Sequence, residues 1–417
     1  MSAPPLSPPD QRRGRLLAIS SHPAGNTFRM VFTQHLPTLA LVSLGASELQ
    51  VGIQSSFVFA FIAFQLPTLR AVAFVSKRTI LVSSHLFALL AALPLVFWDQ
   101  LAAAQVSPVG LAMASFAFVA LGVCVGETVW FPMLRAFVEP ERIGRFFGTL
   151  RTGWHLALIL FYGFSQWWLE RHPGDFATLF GVGFGLGVVR TFLIARMPER
   201  SERTGERIRL SEVAALLRDA RLRNYLAAVA WSHSLRLAAV PFAIVMLRRV
   251  VGFSDDQVIY TTVAHFTGGV VSLYLWGRVV DRVGAVAVLR VTTIGQGLLI
   301  AALLLFAPVS SVVVLMVLWF FALSVLASGH GVADTHVLFE LTPPEAPART
   351  LVLGAVGVGL AGGTVPILAG ALLDALLPEG GGAGALDVYR GFFGVLGALL
   401  LLALAPLAAL SRARRIR

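Results

Sequence analysis

Twelve stretches of about 20 mostly apolar residues recur along the chain, and no other feature constrains its fold as tightly. Lipid offers no partner to backbone N–H and C=O groups, so a run of that length crosses a bilayer as a helix that satisfies them internally. The runs fall near 27–46, 50–69, 79–98, 107–134, 147–169 and 176–195, then near 224–247, 257–276, 286–306, 310–336, 350–376 and 390–410. Only 13% of the 417 residues are charged, about half the share usual in a soluble domain, so the expected solvent is lipid. The fold class that follows is all-α integral membrane, with 12 transmembrane helices.

The polar segments divide the chain. A tail over 1–26 carries Arg12, Arg13 and Arg15. A first bundle covers 27–195 and a charged linker 196–223, with a short surface helix expected from Ser211 to Arg221. A second bundle covers 224–410, and a basic tail 411–417. The net charge of +11 is almost all arginine, Lys77 being the single lysine. With no soluble domain to present a basic face, nucleic acid is excluded as a partner. The arginines cluster in the tails and in every second connection. The positive-inside bias then puts both termini in the cytoplasm of a multi-pass protein of the cell inner membrane. Cys124 stands alone in an apolar run, a packing residue unable to form a disulfide or thiolate metal site. No metal or cofactor is expected.

The two halves repeat. Ser47-Glu48-Leu49-Gln50-Val51 after the first run parallels Ser254-Asp255-Asp256-Gln257-Val258 after the seventh, each serine placed to cap the next helix. Phe137-Val138-Glu139-Pro140-Glu141 parallels Leu341-Thr342-Pro343-Pro344-Glu345, and Pro37 and Pro241 interrupt the first and seventh runs. Six and six spans with these echoes predict two pseudo-symmetric six-helix bundles.

After the eighth run stands Gly277-Arg278-Val279-Val280-Asp281-Arg282-Val283-Gly284, continuing to Leu289. It resembles the G-x-x-x-D-R-x-G loop signature of the major facilitator superfamily. Phe131-Pro132 through Arg142, Gly144, Arg145 and Arg151 also looks like the helix 4–5 turn of poorly characterised bacterial members. The resemblance implies the twelve-helix fold and alternating access, with helices 1, 4, 7 and 10 lining a central cavity. It also implies a cytoplasmic latch built on Gly277, Asp281, Arg282 and Gly284. The equivalent place after the second run has lost its acid, to Ala73, and its first glycine, to Leu69, which leaves Asp281 as the better latch. The Gly-Pro-Gly-Gly run of many drug–proton antiporters is missing from helix 5. A glycine-rich stretch from Gly354 to Gly370, with Pro366, marks helix 11 for close packing instead.

Ionisable groups near the bilayer centre are expensive and mark functional positions. Glu127 and Arg151 each lie about twelve residues from the turn at Pro140, roughly 18 Å of helix, so antiparallel neighbours could pair them. His155 lies one turn beyond Arg151, and His35 sits in the first run. Arg236 is central in the seventh, and His330 and Asp334 share a face of the tenth. Proton coupling is assigned to Glu127 or Asp334, and His35, Arg151, His155, Arg236, His330 and Trp130 are candidates to line the cavity. The bland reading, fixed structural ion pairs, stands beside this one.

No phosphate cradle, metal cluster or nucleophile–base pair occurs, so neither an enzyme nor an ATP-driven pump is expected. The expected function is secondary active transport of a small solute, coupled to protons, by a monomer in the bilayer. A non-transporting sensor or assembly partner is the alternative. Within transport, exporter and symporter stay open.

Overall fold

The computed structural model describes residues 6–134, 136–138, 143–199, 218–308, 311–341, 347–378 and 384–412. Among the described residues sixteen α-helices form: α1 Pro8–Thr33, α2 His35–Ser43, α3 Glu48–Phe61, α4 Gln65–Ala71, α5 Lys77–Val96, α6 Trp98–Ala102, α7 Pro108–Leu134 and α8 Ile143–Arg171; then α9 Phe176–Ala195, α10 Ala220–Met246, α11 Asp255–Val283, α12 Ala285–Ala301, α13 Val312–Leu341, α14 Pro347–Leu376, α15 Ala385–Leu401 and α16 Leu404–Arg412. Among the described residues, nine helices or joined helix pairs are long and apolar enough to cross a membrane. The long helices α1, α8 and α10 fall short of that apolarity, and they carry Arg29, Arg151 and Arg236.

Local chemistry sets the boundaries. Ser7 accepts from the Asp10 amide and two prolines follow it, so α1 starts at Pro8, inside the segment expected as a tail. Arg12 and Arg13 are exposed on that helix, while Ala18, Ser21 and Asn26 are buried. Pro37 has no N–H and its ring crowds the carbonyl one turn earlier, which accounts for the break at Gln34 between α1 and α2. Both serine caps of the repeat form reciprocal boxes. Ser47 N donates to Gln50 Oε1 at 2.8 Å and Gln50 N to Ser47 Oγ at 3.3 Å, and Ser254 pairs with Gln257 in the same way. The expected surface helix from Ser211 lies outside the described residues, apart from the lead into α10.

Two units emerge. The first comprises Met1–Gly45 and Ala60–Arg207, the second Ala46–Phe59 and Ile208–Arg417. In the first, α1 packs on α8 and α9, α5 on α7 and α9, and α4 on α7. In the second, α10 packs on α14, α15 and α16, α12 on α13 and α15, and α11 on α13. Helix for helix the pairings correspond, so the duplication read from short motifs is carried by the packing of each unit.

The surface is inverted relative to a soluble protein. Leu90, Phe118, Leu160, Val271, Leu298 and Leu368 are exposed, whereas Arg190, Gln296 and His330 are almost fully buried. Exposed apolar side chains in such numbers suit contact with acyl chains.

Candidate functional site

In the first unit the polar side chains of α1, α7 and α9 meet. Arg190 on α9, 3% exposed, lies across Gly25 of α1, and its guanidinium carbon stands 3.9 Å from the centroid of the Trp130 ring. Only glycine admits this approach, since a Cβ at position 25 would lie 2.7 Å from Cδ and Nε of Arg190. His22, one turn before Asn26, stacks on the same indole with centroids 5.6 Å apart and planes 5° apart. Asn26 Nδ2 contacts the His22 ring nitrogens at 2.9 and 3.1 Å. Arg190 Nη1 donates one long hydrogen bond, 3.4 Å, to Ser21 Oγ. Glu127, half-buried on α7, acts electrostatically on Arg190, and both Glu127 and Arg29 act on Cys124. A desolvated cation over an indole contributes about 2 kcal/mol, so Trp130 holds Arg190 where a carboxylate would otherwise be needed.

The second unit builds a comparable cluster. Arg236 on α10 donates from Nη1 to Gln296 Oε1 at 3.2 Å, and its Nη2 meets His233 Nδ1 at 3.1 Å. Asp334 on α13 lies within electrostatic reach of Arg236 and accepts a short hydrogen bond from the Tyr225 hydroxyl. His330, one turn earlier and 2% exposed, has no hydrogen-bond partner on either ring nitrogen among the described residues.

The two clusters are related by the repeat. Arg29 and Arg236 are 207 positions apart, as are Glu127 and Asp334, and the same offset relates Ser47 to Ser254. Arg29 and Arg236 thus stand at matching places on α1 and α10, and Glu127 and Asp334 at matching places on α7 and α13.

Several sequence candidates stand elsewhere. Arg151 is exposed on α8 and has no ion pair within 4 Å among the described residues, so the anticipated pairing with Glu127 does not form. Among the described residues α8 packs on α1, whereas α7 lies against α5, α4 and α1, so the two helices are not the packed neighbours the pairing required. His155, buried beneath it, has Nδ1 2.8 Å from the Arg151 carbonyl oxygen and stacks on Trp154. His35 is buried at the start of α2. The Gly277–Val283 signature is the last part of α11 rather than a free loop, closed by Gly284 at φ +86°. Asp281 and Arg282 are exposed there, and Arg278 lies over Tyr274 at 4.4 Å. Asp281 has no hydrogen bond or ion pair among the described residues. Trp231 and Trp319 donate to the carbonyls of Leu399 and Leu299, which makes them packing residues.

Sequence reasoning passed over Arg29, Arg190, Tyr225 and Gln296. Arg190 is the only charge within Phe176–Ala195, and Arg29 follows from Arg236 through the repeat. Tyr225 and Gln296 give no such signal.

A third group belongs to the second unit. Arg249 Nη1 meets Glu48 Oε1 at 2.8 Å, Arg249 Nη2 donates to the Ala46 carbonyl, and Tyr389 OH donates to Glu48 Oε1 at 3.0 Å. Asp374 accepts from the amides of Glu48 and Leu49 at 2.9 and 3.1 Å and from Ser47 Oγ at 2.8 Å, capping α3. Gly52 and Gly370 let α3 and α14 touch backbone to backbone, a Cβ at either lying within 2.4 Å of a carbonyl oxygen. This is the close packing expected of the helix 11 glycines. A cavity of about 440 Å³ between α5 and α7, by contrast, is lined by Ala91, Pro94, Phe97, Leu111 and Phe118 and has no ionisable group.

No family model matches the chain, and no curated protein matches it. Solved structures do. A mutant form of the nucleoside transporter NupG aligns at TM-score 0.74 and 11% identity, over 96% of this chain and 99% of that one. A bacterial homologue of the human lysosomal transporter Spinster, in an inward-facing and unoccupied conformation, aligns at TM-score 0.69 and 15% identity over 98% of both chains. A POT family transporter in complex with a thioalcohol-conjugated peptide aligns at TM-score 0.70 and 11% identity, over 97% of this chain and 96% of that one. The chain is a multi-pass membrane protein with the major facilitator fold.

Proposed function

We propose that this protein is a secondary active transporter of a small solute, working by alternating access and coupled to protons. It would act as a monomer of twelve transmembrane helices in the cell inner membrane, with both termini cytoplasmic. The observation that carries the reading is the recurrence at one offset of an arginine and an acid, Arg29 and Glu127 in the first membrane unit and Arg236 and Asp334 in the second. A fixed ion pair has no need of duplication, whereas alternating access by two related halves uses a set in each. The solved structures it resembles include a nucleoside transporter, a Spinster homologue and a POT family transporter, which supports the same class.

Mechanistically, Asp334 has a neutral hydrogen-bond donor in Tyr225 and a cation within reach in Arg236. An acid between those two groups exchanges a proton when its arginine is drawn elsewhere. Glu127 has a cation within reach in Arg190. The polar clasp of Glu48, Arg249, Asp374 and Tyr389 is proposed as a contact that parts during the cycle, in addition to the latch at Gly277, Asp281, Arg282 and Gly284.

The test is accumulation in proteoliposomes under a pH gradient, with Glu127→Gln and Asp334→Asn as variants. At least one variant is expected to equilibrate solute without concentrating it. Undiminished accumulation by both would rule out proton coupling through these groups.

A further inference from the structure

The two clusters differ in charge balance, and the difference points to a ligand. In the second unit one arginine faces one acid, and Arg236 is hydrogen-bonded to Gln296 and His233. In the first, two guanidiniums gather near one carboxylate: Glu127 acts on Arg190, and Glu127 and Arg29 both act on Cys124. Both guanidiniums act on His22, and Arg29 follows Gly25, over which Arg190 lies, by one helical turn. The two cations therefore share one face of α1. Their donors are poorly used. Among the described residues, Nε of Arg29, Nε of Arg190 and Nε1 of Trp130 are buried without partners, and Arg190 has only its long bond to Ser21. Arg190 and Trp130 are 3% and 1% exposed.

A net positive, donor-rich and acceptor-poor cluster is stable in a membrane protein only if something supplies negative charge and acceptor atoms. Water supplies acceptors but not charge. Resting on the transport reading above, we propose that the first unit holds an anion-binding subsite, and that the transported solute is an organic anion. Its carboxylate or phosphate would sit between Arg29 and Arg190, with the Trp130 N–H as a third donor. Guanidiniums suit both groups, because two parallel N–H donors match two oxygens of either.

The test is thermal unfolding of the purified full-length protein in detergent at constant ionic strength. The probes are benzoate against benzamide, N-acetylglycine against N-acetylglycinamide, and glycerol 3-phosphate against glycerol, each up to 20 mM. At least one anion is expected to raise the midpoint saturably while its neutral partner does not. Arg29→Gln and Arg190→Gln should weaken the apparent affinity about tenfold or more, the loss of a charge-assisted hydrogen bond. Trp130→Phe keeps an aromatic face under Arg190 but removes the N–H together with the five-membered ring, so it should fold and bind several-fold more weakly. If Arg190→Gln fails to fold, the half-buried Arg29 and Trp130→Phe decide the matter. Saturable binding by an anion that persists in both of those variants overturns the proposal, as does the absence of saturable binding by every anion in the panel. Because the readout needs no transport, its failure leaves proton-coupled movement of another solute standing. Binding without transport would sink the transport reading and keep the subsite.

Discussion

At position 25 the absence of a side chain decides where Arg190 can lie. Gly25→Ala places a methyl 2.7 Å from Cδ and Nε of that buried arginine. Overpacking of this kind costs about 1–3 kcal/mol, and the guanidinium must also leave the Trp130 ring. The variant should melt measurably lower than the parent, whereas Gly163→Ala, with nothing within 4 Å of its Cβ, should not. Asp175, in the connection before α9, makes a second case. Burial pushes its carboxyl up, but hydrogen bonds from the Thr178 amide (3.0 Å), the Thr178 hydroxyl (2.8 Å) and Trp168 Nε1 (2.9 Å) outweigh burial and hold it below the usual carboxylate value. A depressed carboxyl contributes stability above its unfolded pKa, lost as pH falls through the folded value. The difference in melting temperature between parent and Asp175→Asn should therefore shrink as pH is lowered from about 5 toward 3. At neutral pH, Asp175→Ala should cost about 1 kcal/mol, the usual worth of a helix cap. A difference that grew on acidification would contradict this assignment.

Among the helices, α3 depends on others for its start. Its first amides are capped by Asp374 of α14, and its path along α14 needs Gly52 and Gly370. Gly370→Leu should drive the two helices apart. With Cys124 replaced by alanine, a Val51→Cys reporter, fully buried in the parent, should then react with maleimide many times faster. Unchanged labelling would mean that α3 is anchored by something other than this contact. Most helix positions were legible in the sequence because a 20-residue apolar run has few alternatives in lipid. The serine caps were legible for a similar reason, as Ser and Gln three residues apart satisfy each other's amides. The first helix was misjudged by nearly twenty residues. Arg12 and Arg13 made the stretch look solvated, yet they occupy only one side of a helix whose other side is buried.

At the level of the whole molecule, the repeat and the placement of charge matter most. Sequence reading found Glu127, Arg236 and Asp334, because an intramembrane charge stands out against its run. It misassigned the partner of Glu127, since spacing from a turn does not say which helices pack together, and α8 packs on α1 while Glu127 acts on Arg190 of α9. Tyr225 and Gln296 stayed invisible because a single tyrosine or glutamine in an apolar run has many structural uses. The central claim is that two duplicated arginine–acid sets couple solute movement to protons. Its most direct test is luminal pH in proteoliposomes loaded with a pH-sensitive dye, recorded when an anion identified by thermal stabilisation is added outside. The account predicts a ligand-dependent proton flux in the parent protein that is abolished in Asp334→Asn or in Glu127→Gln. Solute entering the vesicles with no change in luminal pH, or a flux undiminished in both variants, would contradict it.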